Sequence, residues 1–229
     1  MLIVIDKRIP QEAKVNLSKY GKIVEFSTQG ITYEAISGHP DIFICQSSNS
    51  IICAPNLPKV FIDLFKKENV KMKFGEFPVE YKFPKTAFYN CVITDNQIFH
   101  KKKHTDSIII KTFSSHEFIS LPQAYTRCSL MALPSGGFIT SDKGIEKILR
   151  KRNFEVAYFS PEKILLPGML HGFIGGALGV YSDKLFVIGN PEKHSWGSEF
   201  KAFLNQQNIE LISLYDGQLF DGGGIFFVN

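Results

Sequence analysis

Residues 218–229 read QLFDGGGIFFVN and residues 1–6 read MLIVID. Each is an apolar strand pattern, and the first follows three glycines with no turn after it. A strand that ends a chain frays unless another segment pairs with it. The two stretches therefore predict each other as partners, with IFFVN laid against MLIVID.

Four internal hairpins explain why such a pairing is needed. DIFICQ–SSNS–IICAP turns near Asn49, YNCVIT–DNQ–IFHK near Asn96, RCSLMAL–PSGG–FITSD near Gly136 and GALGVY–SDK–LFVIG near Asp183. Each has β-rich flanks around residues that tolerate tight-turn dihedrals. The turns lie 47, 40 and 47 residues apart, a period that points to a repeat architecture.

The segments after the hairpins repeat as well. Val60, Phe61, Leu64 and Phe65 share a helical face ahead of the strand VKMKF. Ile145, Ile148 and Leu149 do so ahead of FEVAYF, and Trp196, Phe200, Phe203 and Leu204 ahead of IELISLY. The second unit passes from KKKHTD into SIIIKTF, read as a strand, so its helix is expected to be missing. A fifth turn would fall just past residue 229. The opening segment supplies the rest of that unit: strand MLIVID, helix PQEAKVNLSKY with its leading proline, and strand KIVEF. The units run over about 39–85, 86–122, 123–170, 171–217, and 218–229 plus 1–38, in one domain. The fold class is α/β, a five-unit αβ propeller closed by its terminal strands, a device that removes free sheet edges. A mixed open α/β sheet is the alternative.

Composition narrows the function classes. With 44% hydrophobic residues, 21 of them Phe, the 229-residue chain can bury a full core. No stretch approaches the roughly 20 apolar residues of a membrane span, and no leader pattern opens the chain. The net charge of +4 is spread over separate lysine and arginine runs, which argues against a nucleic-acid stripe. Cys45, Cys53, Cys91 and Cys128 form no CxxC pair and sit in apolar runs, as free thiols of a reducing, cytoplasmic compartment do. No metal-ligand spacing, P-loop or dinucleotide fingerprint appears, so no cofactor or metal is expected. A monomer or homodimer with a small-molecule ligand is the expectation.

The motifs AYTRCSL…ITSDKGIEK, LPGMLHGFIGGALG and DGGGIFF resemble a bacterial family of uncharacterised pentein-fold proteins. More broadly, the whole chain resembles the pentein superfamily of guanidino-group-modifying enzymes. That resemblance implies an axial pocket at the starts of the first strands, with a cysteine nucleophile, a histidine and paired carboxylates acting on an amidine carbon. The matching positions here are Asp41, Asn90, Arg127 and Cys128, Gly175 and Gly176, and Gly223 and Gly224. The superfamily places its cysteine after the last glycines, where Ile225 to Phe227 stand, and its histidine at the third unit, where Thr126 to Cys128 stand.

Cys128, beside the cation Arg127, becomes the candidate nucleophile, with His171 across the unit boundary and Asp221 as its orienter. The alternative is that Cys128 packs as a small apolar residue in a catalytically inactive binding or protein-interaction member of the fold. Asp41 and Arg127 suit a zwitterion or pair with each other, and Asn90 adds a neutral donor and acceptor. The glycines relieve crowding or offer N–H groups to a ligand. His39 is a candidate for the same rim, and His100 and His104 are expected to be solvated.

Overall fold

The computed structural model describes residues 1–48 and 50–229. The turn expected near Asn49 lies outside the described residues. The chain opens with β1 (Leu2–Asp6), α1 (Gln11–Leu17) and β2 (Lys22–Phe26), which carry the fifth unit's missing half. Unit one holds α2 (Pro40–Phe43), β3 (Ile44–Gln46), β4 (Ile51–Cys53), α3 (Lys59–Lys67) and β5 (Met72–Phe74). Unit two holds β6 (Val92–Ile93), β7 (Gln97–His100), α4 (Ser107–Thr112) and β8 (Glu117–Ser120). Unit three holds α5 (Thr126–Ser129), β9 (Leu130–Ala132), β10 (Phe138–Thr140), α6 (Lys143–Lys151) and β11 (Val156–Tyr158). Unit four holds β12 (Leu178–Tyr181), β13 (Lys184–Val187), α7 (Gly197–Gln206) and β14 (Glu210–Ser213), and β15 (Phe226–Val228) ends the set.

These strands form five three-stranded sheets with one shared design. In each, the middle strand pairs antiparallel with the first strand and parallel with the third, which is reached through the unit's helix. The parallel step requires that crossover, because two parallel strands cannot be joined by a tight turn. β15 lies antiparallel on β1, with Leu2 opposite Val228, Ile3 opposite Phe227 and Val4 opposite Phe226. The terminal segments therefore complete one sheet, as their patterns predict.

The second unit corrects the sequence reading. SIIIKT is a helix, and the third strand is the following EFIS. Three consecutive isoleucines look like a strand because β-branched residues favour one. The deciding signal is Asp106, whose carboxylate accepts from the Ile108 amide at 2.8 Å and caps the helix. Ile109 is then buried while Ile110 is exposed, a helical alternation compressed into one turn.

Thin sheets need bulky side chains to fill the space between them and their helices. Phe61 and Phe65 bury one face of α3, whereas Val60, expected on that face, points to solvent. Phe99, Phe138 and Phe154 interlock edge-on, with centroids 5.0–5.9 Å apart, where units two and three meet. His100 also departs from its expected place. It is fully buried, with Nδ1 2.8 Å from Thr105 Oγ1 and Nε2 2.7 Å from the Ala124 carbonyl, and burial pulls its pKa down to about 4. His104 is half-buried, stacked on Phe83.

Candidate active site

A single helical turn precedes the first strand in three of the units: α2 before β3, α5 before β9, and a 3₁₀ turn, Gly175–Ala177, before β12. The sequence reading runs strand through these residues. The turn matters because it lifts side chains off the sheet and points them inward. Asp41 comes from α2 and Cys128 from α5. Their side chains meet, the Cys128 thiol donating to Asp41 Oδ2 at 2.7 Å.

Asn90 fastens this contact from the second unit. Its amide nitrogen donates to Cys128 Sγ at 3.4 Å and to the Asp41 carbonyl at 3.3 Å, and its side-chain oxygen accepts from the Cys128 amide at 3.2 Å. Its own carbonyl accepts from the Thr126 and Arg127 amides, holding the start of α5. One asparagine thus ties together the elements that carry the acid and the thiol.

His39 completes the cluster. Its Nδ1 lies 4.0 Å from Asp41 Oδ1, and its Nε2 lies 3.9 Å from both Asp6 Oδ2 and Asp221 Oδ1. Both ring nitrogens and Asp41 Oδ1 are buried without a hydrogen-bond partner among the described residues. Asp6 is neutralised by Arg8, whose Nη2 and Nε reach its two oxygens at 2.6 and 3.0 Å. Asp221 is anchored by the Phe173 amide at 2.8 Å and the Gly223 amide at 3.0 Å.

The electrostatics follow from burial. Cys128 is only 4% exposed. Loss of solvent, reinforced by the Asp41 and Asp221 charges, pushes its thiol well above the usual range, so the sulfur keeps its proton. Burial likewise raises Asp41 to about 6, against the opposing pull of His39 and the thiol hydrogen bond.

His39 Nδ1 or Nε2, an Asp41 oxygen and Cys128 Sγ all lie within 4.8 Å of one another, a nitrogen, oxygen and sulfur set of the kind zinc accepts. Tetrahedral bonds of zinc length would hold sulfur and oxygen about 3.5 Å apart. The Cys128 thiol instead donates directly to Asp41 Oδ2 at 2.7 Å, closer than two ligands of one zinc ion would stand.

Arg127 follows a different course from its neighbour. Its Nη1 and Nη2 donate to the Gly175 and Leu178 carbonyls at 2.7 and 3.0 Å, and its guanidinium lies over the Phe226 ring at 5.3 Å. Burial lowers its pKa. It faces a cavity of about 450 Å³ at the hairpin end of the sheets, lined by Gln46, Cys91, Thr94, Gln97 and Phe226 among others. Asp41 and Arg127 therefore do not hydrogen-bond to each other.

The glycines make close approach feasible. A Cβ on Gly176 would stand 1.8 Å from Asp221 Oδ1, and one on Gly224, at φ +86°, 2.8 Å from Arg127 Nη2. The amides of Gly222 and Gly224 donate to the Gly176 carbonyl, so they are committed to the protein. Gly175 packs against the Arg127 carbonyl and Gly223 against His39.

The structure thus gathers Asp41, Asn90, Cys128 and Asp221, with Gly176 and Gly223 against them. It keeps His171 apart: that ring is half-buried, edge-on to Phe173, with Nδ1 3.0 Å from the Gly172 carbonyl. The histidine in the cluster is His39, which the sequence marks only as part of a rim. Asp6 carries no motif at all; its one signal is a charge ending a wholly buried strand.

Residues 4–226 match the model of a family of unknown function, DUF6873. The chain belongs to this family. No curated protein sequence matches it. Among solved structures, it is similar to SxtG, an amidinotransferase from Microseira wollei in the saxitoxin biosynthetic pathway, at 14% identity and TM-score 0.56, over 93% of this chain and 87% of that one. It is similar to a dimethylarginine dimethylaminohydrolase adduct with S-methyl-L-thiocitrulline at 7% identity and TM-score 0.58, covering 93% and 91%. The C. jejuni agmatine deiminase stands at 12% and 0.55, covering 93% and 74%. All are penteins, and this DUF6873 chain has the pentein fold. Among its described residues no helix is long and apolar enough to cross a membrane.

Proposed function

We propose that this DUF6873 protein is a closed five-unit ring that binds a small guanidino or amidine ligand at the axial cluster and attacks its carbon with Cys128. One observation carries the reading. The Cys128 thiol rests 2.7 Å from Asp41 Oδ2, while Asp41 Oδ1 and both His39 nitrogens beside it are buried and unpartnered. Orphaned buried polar atoms are destabilising, and their concentration around one thiol is characteristic of a site built for a ligand.

A cationic amidinium donates to Asp41 Oδ1 and brings positive charge to the thiol, favouring the thiolate that burial disfavours. Asp41 Oδ2 takes the sulfur's proton as Sγ bonds to the amidine carbon. The carbon–nitrogen bond then breaks, and the leaving amine takes that proton back from Asp41 Oδ2. Water then cleaves the carbon–sulfur bond, releasing the product and restoring the thiol. Asn90 holds the sulfur's position throughout.

The reading is tested with 2-chloroacetamidine against neutral 2-chloroacetamide. The cation is expected to label Cys128 at least about tenfold faster, a difference of about 1.4 kcal/mol in barrier. Asp41→Asn is expected to remove that preference. The burial of Cys128 favours a second reading, a binding protein without chemistry. Equal rates for the two reagents, or faster labelling of Cys45, Cys53 or Cys91, would favour that reading over catalysis.

A further inference from the structure

Two buried thiols outside the axial cluster face each other. Cys45, on β3, and Cys91, the residue before β6, hold their Sγ atoms 3.0 Å apart. That is about 1 Å longer than a covalent S–S bond. Neither takes part in the chemistry around Cys128, and no disulfide joins them. β3 and β6 are the first strands of neighbouring units and pack side by side.

Their surroundings differ. Cys91 lines the 450 Å³ cavity at the hairpin end, whereas Cys45 lies behind it against β4. A small oxidant entering the cavity therefore meets Cys91 first, with a second thiol already in line behind it.

We propose that Cys45 and Cys91 are a redox-modification site, a dithiol that closes to a disulfide between units one and two when a peroxide enters the cavity. Cys91 sulfur takes one oxygen from hydrogen peroxide, forming a sulfenic acid and releasing one water. Cys45 sulfur attacks the sulfenic sulfur, the S–O bond breaks, and that oxygen leaves as a second water with the two remaining protons. Each thiol gives up one hydrogen and the pair is oxidised by two electrons. A dithiol reductant reverses the step. Contact with Cys91 and burial hold the Cys45 thiol protonated until Cys91 has been oxidised.

The position gives the bond a structural consequence. Cys91 directly follows Asn90, and Cys45 lies four residues after Asp41. The disulfide would tie together the two segments whose side chains hold the Cys128 sulfur. Closure of this pair requires no reaction at Cys128.

The test uses the whole purified chain, reduced and then treated with hydrogen peroxide. The expected result is a mass loss of about 2 Da, the two hydrogens of a dithiol. Alkylatable thiols in denaturant should fall from four to two. Proteolysis should then yield one linked pair containing Cys45 and Cys91, released by dithiothreitol. Cys91→Ser should abolish the link, and Cys53→Ser should leave it intact. The wild-type peptide map decides the matter even if a variant misfolds. A Cys45–Cys53 link, a stable oxygen adduct on Cys91, or four free thiols after peroxide at concentrations that oxidise free cysteine would each overturn the proposal.

Discussion

Asp41→Asn should make this protein more stable, and only above a definable pH. Burial lifts the Asp41 carboxyl from 3.8 to about 6. In an unfolded chain the group ionises near its ordinary value, so below about pH 4 both states carry the proton and the folded state suffers no penalty. Between about pH 4 and pH 6 the unfolded chain ionises and the folded one does not, and stability falls as pH rises. Above about pH 6 the full penalty is in place. A shift of roughly two units corresponds to about 3 kcal/mol. Asparagine keeps the side chain's shape and an oxygen for the Cys128 proton, places an NH₂ group where Oδ1 faces His39, and does not ionise. For a chain of this size about 3 kcal/mol is about 6–12 °C in Tm. Thermal unfolding at about pH 4 should give nearly equal Tm values for wild type and Asp41→Asn, and at about pH 8 the variant should lead by that margin. A constant difference between the acidic and alkaline conditions, or a variant less stable under the alkaline one, would refute the burial argument. The gain in stability should accompany loss of the cationic reagent's preference at Cys128, since the buried acid is then the feature the site keeps for use.

Two structural predictions concern the supports of the site. Gly176→Ala places a Cβ 1.8 Å from Asp221 Oδ1, an oxygen fixed by the Gly223 amide. It should destabilise by about 3 kcal/mol in urea titration, against about 1–2 kcal/mol for Gly136→Ala, which sits at φ +89° in open space. Asp106→Ala removes the α4 cap and the acceptor shared by the Glu76 and Phe77 amides and the Tyr89 hydroxyl. That change should cost about 4 kcal/mol, and the Glu76 and Phe77 amides should lose hydrogen-exchange protection.

The fold was legible in the sequence because its repeat is local. Each hairpin announces itself through turn residues between apolar runs, and three of the helices through a spacing of three and four. The short helix at Ser107–Thr112 was hidden because one turn of β-branched residues has too little length to display a period. The terminal pairing could be extrapolated only because the repeat made a fifth unit's missing strands countable.

The site was legible only as a set of positions. Asp41, Asn90 and Cys128 could be marked as strand starts, but direction is a separate property. Arg127 and Cys128 are adjacent in sequence, and a pair of neighbours on a strand would also point opposite ways. On α5 successive side chains are about 100° apart. One therefore faces Asp41 while the other turns toward the hairpin-end cavity, and the expected cation beside the thiol becomes a plug against Phe226. His39 carries little signal in the sequence for a related reason. Its neighbours Asp6 and Asp221 come from opposite ends of the chain and meet only because β1 pairs with β15. The pairing that completes the fifth sheet thus also assembles the carboxylates around the histidine. Disturbing that sheet should therefore weaken the site as well as the fold.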